Sequence, residues 1–508
     1  MSEIQTYDVV IVGAGLTGLT AAAECQKKGL SVLLLEGRHR LGGRTYTRKE
    51  TWGGLQTYVD YGAHFIGHDD AQKNIVDLVN ELGLKTFPQY EGPDDRSLKW
   101  DGQAANLLTN WNGGDPAMIQ TTAYIGQIYP DTWSGLLHMA KLEFWLGEME
   151  LIGPNHFWGN QELDKMSVAD WVNSLSTPRD ENLYDLLNLL CRVGFSADAE
   201  DISLLWFLLY IAANGGLDEF SNVRYKTQGA QGYRLVEGTM AICDRLGKRC
   251  IEKGGEILSD RKVVAIDLSK TPARVRCADG STYLGKKVLV AISPKLASQI
   301  AVTPDLPSER VKAARAMRNG QTVMTVMHFD DTFWRRDTTT YNKGKFNGWS
   351  EDGISANGLS GNGLLINAPI VWTMDNTSPE GAPAMFAFVV GKQAEEWQGK
   401  SEGDRRKTIA NALGALYGAE NVAKHFTGYE EYLWTTDTFA QGCPTGHFGP
   451  GDFDLWKHIL FEPSSNNGYL GGRLFYASTE SALVSNGYMS GAVWSGTEVG
   501  KKIAASVG

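Results

Sequence analysis

The beginning of the chain carries the pattern that most restricts its fold: a strand, a glycine turn and a helix. Asp8–Val12 has the apolar character of a buried strand, the letters GAGLTG that follow it form the turn, and Leu19–Lys28 is a helix of small and apolar residues. In a turn of this kind Gly13 allows the sharp bend, Gly15 lets the backbone approach a diphosphate, and Gly18 lets the helix pack closely on the strand. The pattern predicts a dinucleotide-binding unit.

A second strand and an acid support this interpretation. Ser31–Leu35 is predicted to be a strand, and it ends at Glu36, about 20 residues past the glycines, where a carboxylate binds the ribose of a dinucleotide. The diphosphate would meet the positive end of the helix dipole. A lone glycine pattern also occurs in ordinary turns, but the strand, the helix and the acid around this one argue against that alternative.

The residues after Glu36 separate a flavin from a nicotinamide. Arg38 and the stretch Arg40–Thr45 (RLGGRT) place guanidinium groups around a Gly-Gly turn, which suits the diphosphate and ribityl chain of a flavin. The alternative is a solvated surface loop, but Gly42 and Gly43 impose a backbone requirement that such a loop lacks. A flavin dinucleotide is therefore the expected cofactor.

Separated segments of the chain share a pattern with one family, in the order in which that family has them. They are Glu36–Thr45 (E-x-R-x-R-x-G-G-R-T), Tyr61–Gly67, Val76–Leu84, Ile202–Gly216, Gln231–Gly238, Val263–Ile266, Phe333–Arg335 and Trp434–Cys443. Through these segments the chain resembles the flavin monoamine oxidases over nearly all of its length. The resemblance implies an α/β fold: a Rossmann-like FAD-binding domain built from discontinuous segments, plus a mixed-sheet and helical substrate domain.

The pieces of the two domains are expected to alternate along the chain. The FAD-binding domain takes residues 1–90, 222–300 and 430–508, and the substrate-binding domain takes residues 91–221 and 301–429. The resemblance implies a helix at Val76–Leu84 and, at Ile202–Gly216, the helix that lines the substrate cavity. Sequence from Met118 to about Gly216 is predicted to be helical. Val288–Ile292, Met324–Phe329 and Ala384–Val390 are apolar runs that predict strands, the last two in a mixed sheet beneath the substrate cavity.

The resemblance also implies which residues form the site. Those expected to bind FAD are Gly13, Gly15, Gly18, Glu36, Arg38, Gly43, Arg44, Gly62, Ala63, His64, Phe65, Val263, Cys443, Thr479, Glu480, Tyr488 and Met489. Those expected to act on the substrate are Tyr488, Gln231 and Trp434. The last helix, opened by Asn486–Gly491, is expected to point its positive end at the flavin pyrimidine and to pack in the core as well.

Two positions depart from the family pattern. The family places two facing aromatic rings before the flavin; Tyr488 matches one of them, and the other should follow the flavin-linking cysteine, where this chain has Pro444. A lysine that holds a water against flavin N5 in many members would fall at Met324. These departures leave the predicted reaction class unchanged, and they concern the residues that select the substrate.

Cys443 in the run Gly442-Cys443-Pro444-Thr445 matches the cysteine that forms a thioether with the flavin 8α carbon. A thiolate is the nucleophile that such a bond requires. The alternative is a buried thiol that behaves as a small apolar side chain, since members without the link exist, and Pro444 changes the backbone beside the sulfur. Covalent attachment through Cys443 is therefore a prediction that remains open at the sequence level.

Composition and charge exclude some function classes. The 508 residues are enough for two or more domains, and a net charge of −11 argues against nucleic acid as a partner. The longest apolar run, near Leu204–Ala213, is shorter than the ~20 residues of a membrane span, and Met1–Tyr7 is too short and polar for a signal peptide. We therefore expect a soluble, cytoplasmic protein without membrane contact, for which a homodimer is left open.

Cysteine and histidine spacing points away from disulfides and metals. None of the six cysteines forms a CxxC pair, which favours a reduced protein. His64 and His68 are four residues apart, a spacing that suits metal ligands on a helix, but Gly67 between them favours a turn. No metal is expected.

The leading hypothesis is an oxygen-dependent amine oxidase. A neutral primary amine would be oxidised to an imine and hydrolysed to a carbonyl compound and ammonia, while O2 becomes hydrogen peroxide. A long aliphatic amine is favoured, because Pro444 removes an aromatic wall. Alternatives are an L-amino-acid oxidase, which needs an arginine facing the flavin, a related desaturase, and a non-catalytic flavin-stabilised binding protein.

Overall fold

A computed structural model describes residues 5–67, 72–90, 107–108, 117–118, 161–175, 177–179, 181–215, 230–335, 354–357, 362–365, 369–460 and 468–507. Up to residue 118 its elements are β1 (Thr6–Val12), α1 (Leu16–Gln26), β2 (Val32–Leu35), β3 (Thr47–Trp52), β4 (Leu55–Asp60), α2 (Lys73–Glu81), β5 (Thr86–Pro88), β6 (Leu107–Leu108) and β7 (Ala117–Met118). The next block is helical: α3 (Gln161–Asp164), α4 (Val168–Leu175), α5 (Glu181–Phe195) and α6 (Leu204–Ala213).

The middle of the chain alternates strands and helices. Its elements are β8 (Tyr233–Leu235), α7 (Met240–Glu252), β9 (Glu256–Leu258), β10 (Val263–Asp267), β11 (Ala273–Cys277), β12 (Thr282–Val290), α8 (Pro294–Ala297), β13 (Ala301–Thr303), α9 (Ser308–Ala316), β14 (Arg318–Asn319) and β15 (Thr322–Phe329).

The last part begins with strands and ends with a long helix. Its elements are β16 (Ile354–Asn357), β17 (Asn362–Leu365), β18 (Trp372–Asp375), β19 (Ala384–Val390), α10 (Lys392–Trp397), α11 (Glu402–Tyr417), α12 (Ala419–His425), β20 (Phe426–Leu433), β21 (Gly446–His447), α13 (Phe453–Leu460), α14 (Tyr469–Gly472), β22 (Leu474–Tyr476) and α15 (Met489–Ser506).

The first large sheet is mixed and has eight strands, in the order β13-β10-β11-β12-β1-β2-β9 with β22 paired to β12. Its centre is parallel: β1 lies between β12 and β2, and β2 pairs with β9. Val9–Val12 are at most 4% exposed, because helices cover both faces of such a sheet. Helix α1 packs along α15, so both ends of the chain meet beside this sheet.

The second large sheet has six strands in the order β16-β17-β18-β19-β15-β20. The sequence predicted a mixed sheet in the substrate domain. The described pairings of this sheet are all antiparallel, and the first sheet is the one that combines parallel and antiparallel strands. One face of β15 belongs to a core that includes Met324 and Phe386, and the other contributes Val323 to a second core. Strand alternation thus presents every second residue of β15 to the same core as helix α6.

Helix α6 is the most apolar helix on the substrate side. Its sequence LLWFLLYIAA has no polar stripe, and Leu204–Ile211 are all buried. The Ser203 side chain caps its N-terminus by accepting a hydrogen bond from the Trp206 backbone N–H at 3.2 Å. A helix that is apolar on all sides is buried on all sides, and α6 lies inside the largest core cluster. No described helix is long and apolar enough to cross a bilayer.

Most element predictions agree with the structure, with shifted ends. The strands predicted at Asp8–Val12, Ala384–Val390 and Met324–Phe329 are present. The first helix begins at Leu16, so Gly18 lies inside its first turn, and the helix predicted at Val76–Leu84 starts three residues earlier. Much of the helical stretch expected from Met118 lies outside the described residues. The predicted α/β class, with a Rossmann-like sheet built from discontinuous segments, is confirmed.

Candidate functional site

A single cavity of about 460 Å³ joins the β1–α1 turn to the helices and strands of the second sheet. Its lining comes from both ends of the chain and from the middle. Its walls include the turn between β1 and α1, the loop after β2, helices α5 and α6, strands β15, β18 and β19, the segment around Cys443, and the start of α15. The two large sheets therefore contribute to one site.

The glycine turn is built as the sequence pattern requires. Gly13 has φ +98°, a left-handed conformation that favours glycine, and its N–H donates to the Leu35 carbonyl at 2.8 Å. A Cβ on Gly18 would lie 2.1 Å from the Gly13 carbonyl oxygen, so only glycine lets α1 approach the turn. A Cβ on Gly15 would meet nothing closer than 3.8 Å. The space above Gly15 is thus free for a ligand, while Gly18 is a packing residue.

Glu36 is fixed at the end of β2. Its Oε2 accepts a hydrogen bond from the Ala14 N–H at 2.8 Å, and its Oε1 accepts one from the Arg38 N–H at 2.9 Å. The residue is 4% exposed and lines the cavity. The turn and this carboxylate together have the features that hold the diphosphate and ribose of a dinucleotide, so the residues present fit FAD.

Buried arginine–carboxylate pairs hold the loop after β2. Arg44 donates through Nη1 to Glu480 Oε1 at 2.6 Å and through Nη2 to Glu480 Oε2 at 3.2 Å, and its Nη1 also reaches the Pro444 carbonyl at 2.8 Å. Glu480 is fully buried, and the Arg44 charge lowers the pKa of Glu480 against the opposing effect of burial. Arg38 makes a further buried pair with Asp437.

Cys443 lies on the cavity wall beside this pair. Burial raises the pKa of its thiol to about 12, and the Arg44 charge opposes that rise. Its carbonyl accepts a hydrogen bond from the Thr322 hydroxyl, and its N–H donates to the Gly320 carbonyl at 2.8 Å. The backbone of Cys443 is therefore held by Gly320 and by the first residue of β15, and the thiol is protonated at neutral pH.

Tyr488 occupies the N-cap position of α15, and its backbone carbonyl accepts from the Thr479 hydroxyl at 2.8 Å. Its ring stacks with that of Tyr210 from α6, with centroids 6.3 Å apart and planes at 28°. Burial, followed by the nearby Tyr488 hydroxyl, raises the pKa of Tyr210 well above its usual value. Tyr210 is thus an aromatic partner of Tyr488, and Pro444, where the family has the second ring, also lines the cavity.

The remaining wall is aromatic. Trp372 on β18 and Phe388 on β19 are opposite each other in register, with ring centroids 5.8 Å apart. Phe65 stacks on Trp372, also at 5.8 Å. Gln231 lines the same cavity, and its buried Oε1 has no hydrogen-bond partner among the described residues. A polar atom in this position is available to a ligand.

Most residues expected in the site line the cavity. They are Gly13, Gly15, Glu36, Arg38, Gly43, Arg44, Gly62, Ala63, His64, Phe65, Gln231, Val263, Cys443, Thr479, Tyr488 and Met489. Gly18, Glu480 and Trp434 lie one layer behind the cavity wall: Gly18 packs α1 on the turn, Glu480 holds Arg44, and Trp434 donates to the Tyr61 carbonyl at 2.6 Å while packing on Cys443. Met324 is fully buried in the core, whereas Thr322, two residues before it, reaches the cavity.

Sequence reasoning missed several lining side chains: Arg192, Tyr210, Thr322, Trp372 and Phe388. A signal existed for two of them. Tyr210 lies in the apolar helix that the family resemblance had already singled out, and Arg192 is the one basic residue of Glu181–Phe195. Ala384–Val390 was predicted to be a strand beneath the cavity, but the sequence did not show that the register of β18 and β19 places Trp372 opposite Phe388.

The described residues include no cluster of histidine, cysteine or carboxylate side chains that could hold a metal ion. His64 lies in the segment before α2, and its ring packs edge-on against Phe65 and Phe386. Burial, followed by the charge of Arg234, lowers the pKa of His64 well below its usual value, so the ring is neutral. His68, the other histidine of the predicted spacing, lies outside the described residues.

Known proteins are similar to this chain in sequence and in fold. The probable flavin-containing monoamine oxidase A of Dictyostelium discoideum is 28% identical over 98% of this chain and 97% of its own length. The flavin-containing amine oxidase B of Homo sapiens is 27% identical over 99% of this chain and 86% of its own length. Among solved structures, putrescine oxidase bound to putrescine is similar with a TM-score of 0.78, 22% identity and 99% coverage of both chains. Cyclohexylamine oxidase of Brevibacterium oxydans IH-35A is similar with a TM-score of 0.76, 21% identity, and coverage of 98% of this chain and 99% of its own.

The family comparison covers most of the site just described. The model of the flavin-containing amine oxidoreductases matches residues 16–504, from the first turn of α1 to the last turns of α15. The match therefore spans the arginine loop, the Cys443 segment and the Tyr488 helix cap, and it begins just after Gly13 and Gly15 of the turn. The chain belongs to the flavin-containing amine oxidoreductases and is an amine oxidase of that family.

Proposed function

We propose that this amine oxidase converts a primary amine, O2 and water into an aldehyde or ketone, ammonia and hydrogen peroxide. The observation that carries the proposal is the single cavity in which the dinucleotide turn and the Tyr488 wall meet. FAD, which the family implies, supplies the two-electron chemistry when it is bound. The protein then has to bind, orient and enclose the reactants.

The chain offers holding groups for each part of FAD. Gly15 leaves space for the diphosphate, and the fixed Glu36 carboxylate suits the ribose. Val263 lines the same cavity at the start of β10. The N-terminus of α15 faces the cavity through Tyr488 and Met489, where its dipole favours negative charge on the reduced cofactor.

Other side chains orient the amine. The Tyr488 ring, fixed by Tyr210, forms an aromatic surface that aligns a neutral amine. The free Oε1 of Gln231 can accept a hydrogen bond from the amine N–H. Trp372 and Phe388 keep water away from the reacting carbon. Trp434 acts behind the wall, through its packing on Cys443.

We propose that the substrate is a long-chain aliphatic amine. The position after Cys443, where the family has an aromatic ring, is occupied by Pro444, and the rest of the substrate wall is largely apolar. An L-amino-acid oxidase would need an arginine beside the reacting carbon. Arg38 and Arg44 of the flavin loop are both engaged with buried carboxylates.

Peroxide release tests the reaction. The purified protein is given linear amines of increasing chain length and a set of L-amino acids, and peroxide and ammonia are measured together. We expect equal amounts of both products from the amines, with kcat/KM rising with chain length. A protein that binds FAD and yields no peroxide from any amine would contradict the proposal and favour a binding protein.

Covalent attachment of FAD through Cys443 is a further part of the proposal. The Cys443 sulfur would replace one hydrogen of the flavin 8α methyl, and the two electrons and two protons released would pass to O2 to give hydrogen peroxide. The support is the position of Cys443 on the cavity wall. Its raised pKa means that the thiol must lose its proton when the cofactor binds, and Arg44 is the neighbouring charge that favours this loss.

Acid precipitation tests the bond. We expect a yellow pellet and an intact mass increased by that of FAD, and we expect Cys443→Ala to abolish both. Cys243→Ala is the matched control, because Cys243 is also a buried thiol but is not among the cavity residues. A colourless pellet from flavin-replete protein would mean that the thiol only lines the cavity.

We also retain the proposed division into two domains. The first sheet draws its strands from residues 1–90, 222–300 and 430–508, except β13 at Ala301–Thr303, which lies at the border of the substrate-binding segments. The second sheet draws five of its six strands from 301–429, and β20 ends at Leu433. Strand pairing thus supports these boundaries to within a few residues.

A further inference from the structure

One charged side chain lies on the substrate wall of the cavity. Arg192, in the last turn of α5, lines the cavity, and its Nε donates to Asp198 Oδ1 at 2.6 Å. The Arg192 and Asp198 side chains are 12% and 5% exposed. Asp198 is not among the lining residues, so Arg192 is the member of this ion pair that lines the cavity. A hydrogen bond at Nε leaves the Nη groups of a guanidinium fork free to bind a second carboxylate.

The charges of the lining are unevenly distributed. Among the described residues the cavity has one acidic lining residue, Glu36, and both of its oxygens already accept backbone hydrogen bonds at the dinucleotide turn. The described wall near Arg192 has no other charged side chain and includes Val193, Ser196, Trp372 and Val390. A second ammonium group on a substrate would therefore find no lining carboxylate in the described part of this wall, whereas an anion would find Arg192.

Two aromatic residues, Phe195 and Tyr210, connect the turn that carries Arg192 to Tyr488. Tyr488 stacks with Tyr210 at 6.3 Å, and the other neighbour of Tyr210 is Phe195 at 4.4 Å. Arg192 precedes Phe195 by about one helical turn on α5. The reacting carbon is expected beside Tyr488, and Tyr210 and Phe195 lie between Tyr488 and the Arg192 turn, so a carboxylate bound at Arg192 is expected to belong to the other end of the molecule.

We propose that Arg192 forms an anion subsite for the far end of the substrate, so that the enzyme accepts primary amines bearing a distant carboxylate and discriminates against diamines. The inference rests on the proposed amine oxidation and specifies its substrate class. An arginine–carboxylate contact is charge-assisted and directional, which favours the amino carboxylate. A second ammonium group beside Arg192 meets like charge and no compensating anion, which disfavours the diamine.

Four compounds of equal chain length test the subsite: hexylamine, 6-aminohexanoate, 1,6-diaminohexane and 2-aminohexanoate. We expect kcat/KM for 6-aminohexanoate to equal or exceed that for hexylamine, and to exceed that for 1,6-diaminohexane by about tenfold or more. A preference for the diamine, or for the isomeric 2-aminohexanoate, would overturn the inference while leaving amine oxidation intact. Absence of peroxide with all four would contradict the proposed function itself.

Variants assign the preference to Arg192. Arg192→Leu should lower kcat/KM for 6-aminohexanoate by about tenfold and leave hexylamine within about twofold. Because this change leaves Asp198 buried without its partner, Arg192→Leu with Asp198→Asn is made in parallel and should show the same selectivity. Arg318→Leu is the matched control: Arg318 also pairs with an aspartate, Asp201, but the two side chains are 52% and 43% exposed and lie outside the cavity.

Binding without turnover gives a second readout. Hexanoate is titrated against the holoenzyme, and its Kd is read from the change in flavin absorbance. We expect Arg192→Leu and the double variant to raise this Kd by about tenfold, and Arg318→Leu to leave it unchanged. Equal Kd values in all variants, or an equal loss of activity toward hexylamine and 6-aminohexanoate, would overturn the assignment.

Discussion

The two parts of the cavity are built in different ways. The flavin part consists of backbone turns and buried ion pairs: Gly15 leaves the space, Glu36 is held by two backbone N–H groups, and Arg44 pairs with Glu480. The substrate part consists of side chains from α5, α6, β18 and β19, mostly apolar, with Arg192 as its charged member among the described residues. The first part depends on local conformation, and the second depends on long-range packing.

This difference has a consequence for mutation. A change in the flavin part should affect the cofactor or the stability of the fold, because its groups are buried, charged or sterically confined. A change in the substrate part should alter turnover and selectivity while the cofactor remains bound. Three sets of substitutions, in order of expected effect, test this difference.

The largest effect is expected at Glu480, the buried carboxylate of the flavin part. Glu480→Gln leaves Arg44 without its counter-charge and should lower the free energy of unfolding by about 3 kcal/mol. Because the folded pKa of Glu480 is lowered, its contribution to stability is present above the usual glutamate pKa of about 4.3 and is lost as the pH falls through the folded value. The variant should therefore lose part of the acid dependence that wild type shows in denaturant melts.

Glu162→Gln is the control for Glu480. Glu162 pairs with Lys165 at 2.6 Å, the same distance as in the Arg44–Glu480 pair, but the two side chains are 81% and 64% exposed. Exposed pairs contribute about 0–1 kcal/mol, so this change should be nearly silent. Equal effects of the two substitutions would remove the distinction between the buried flavin part and the surface.

The second effect concerns two glycines of one turn. Gly15→Val should weaken FAD binding about a hundredfold, roughly 2.8 kcal/mol, while the apoprotein stays folded, because a Cβ there approaches no protein atom closer than 3.8 Å. Gly18→Ala should instead unfold the region, since its Cβ would lie 2.1 Å from the Gly13 carbonyl oxygen. Flavin absorbance and circular dichroism separate the two outcomes. Full flavin content in Gly15→Val would refute the assignment of the turn.

The third and smallest effect is expected at Tyr488, where the two parts meet. Tyr488→Ala should lower kcat/KM for amines by about tenfold, roughly 1.4 kcal/mol, with flavin content unchanged, because the contact with Thr479 is made by the backbone carbonyl. Tyr488→Phe keeps the ring that stacks on Tyr210 and should retain most of the activity. Unaltered kinetics of Tyr488→Ala across several amines would mean that Tyr488 only packs in the core and does not align the substrate.

The sequence was sufficient to predict residues whose type is required by the local backbone conformation. Gly13 is required by a positive φ, Gly18 by the close approach of α1, and Glu36 stands at the end of a strand whose position the apolar run reveals. The placement of Trp434 shows the limit. Its position in the family pattern suggested the cavity wall, and the structure places it one layer behind, donating to the Tyr61 carbonyl.

The α/β class and the glycine turn could therefore be predicted from the sequence, together with most of the residues around the turn, since these features depend on spacing over a few residues. Tertiary structure decided that Tyr210 supports Tyr488, that Trp372 faces Phe388, and that the cavity meets Arg192. The physical reason is that strand register and helix packing bring together residues far apart in the chain, and local patterns carry no information about those contacts.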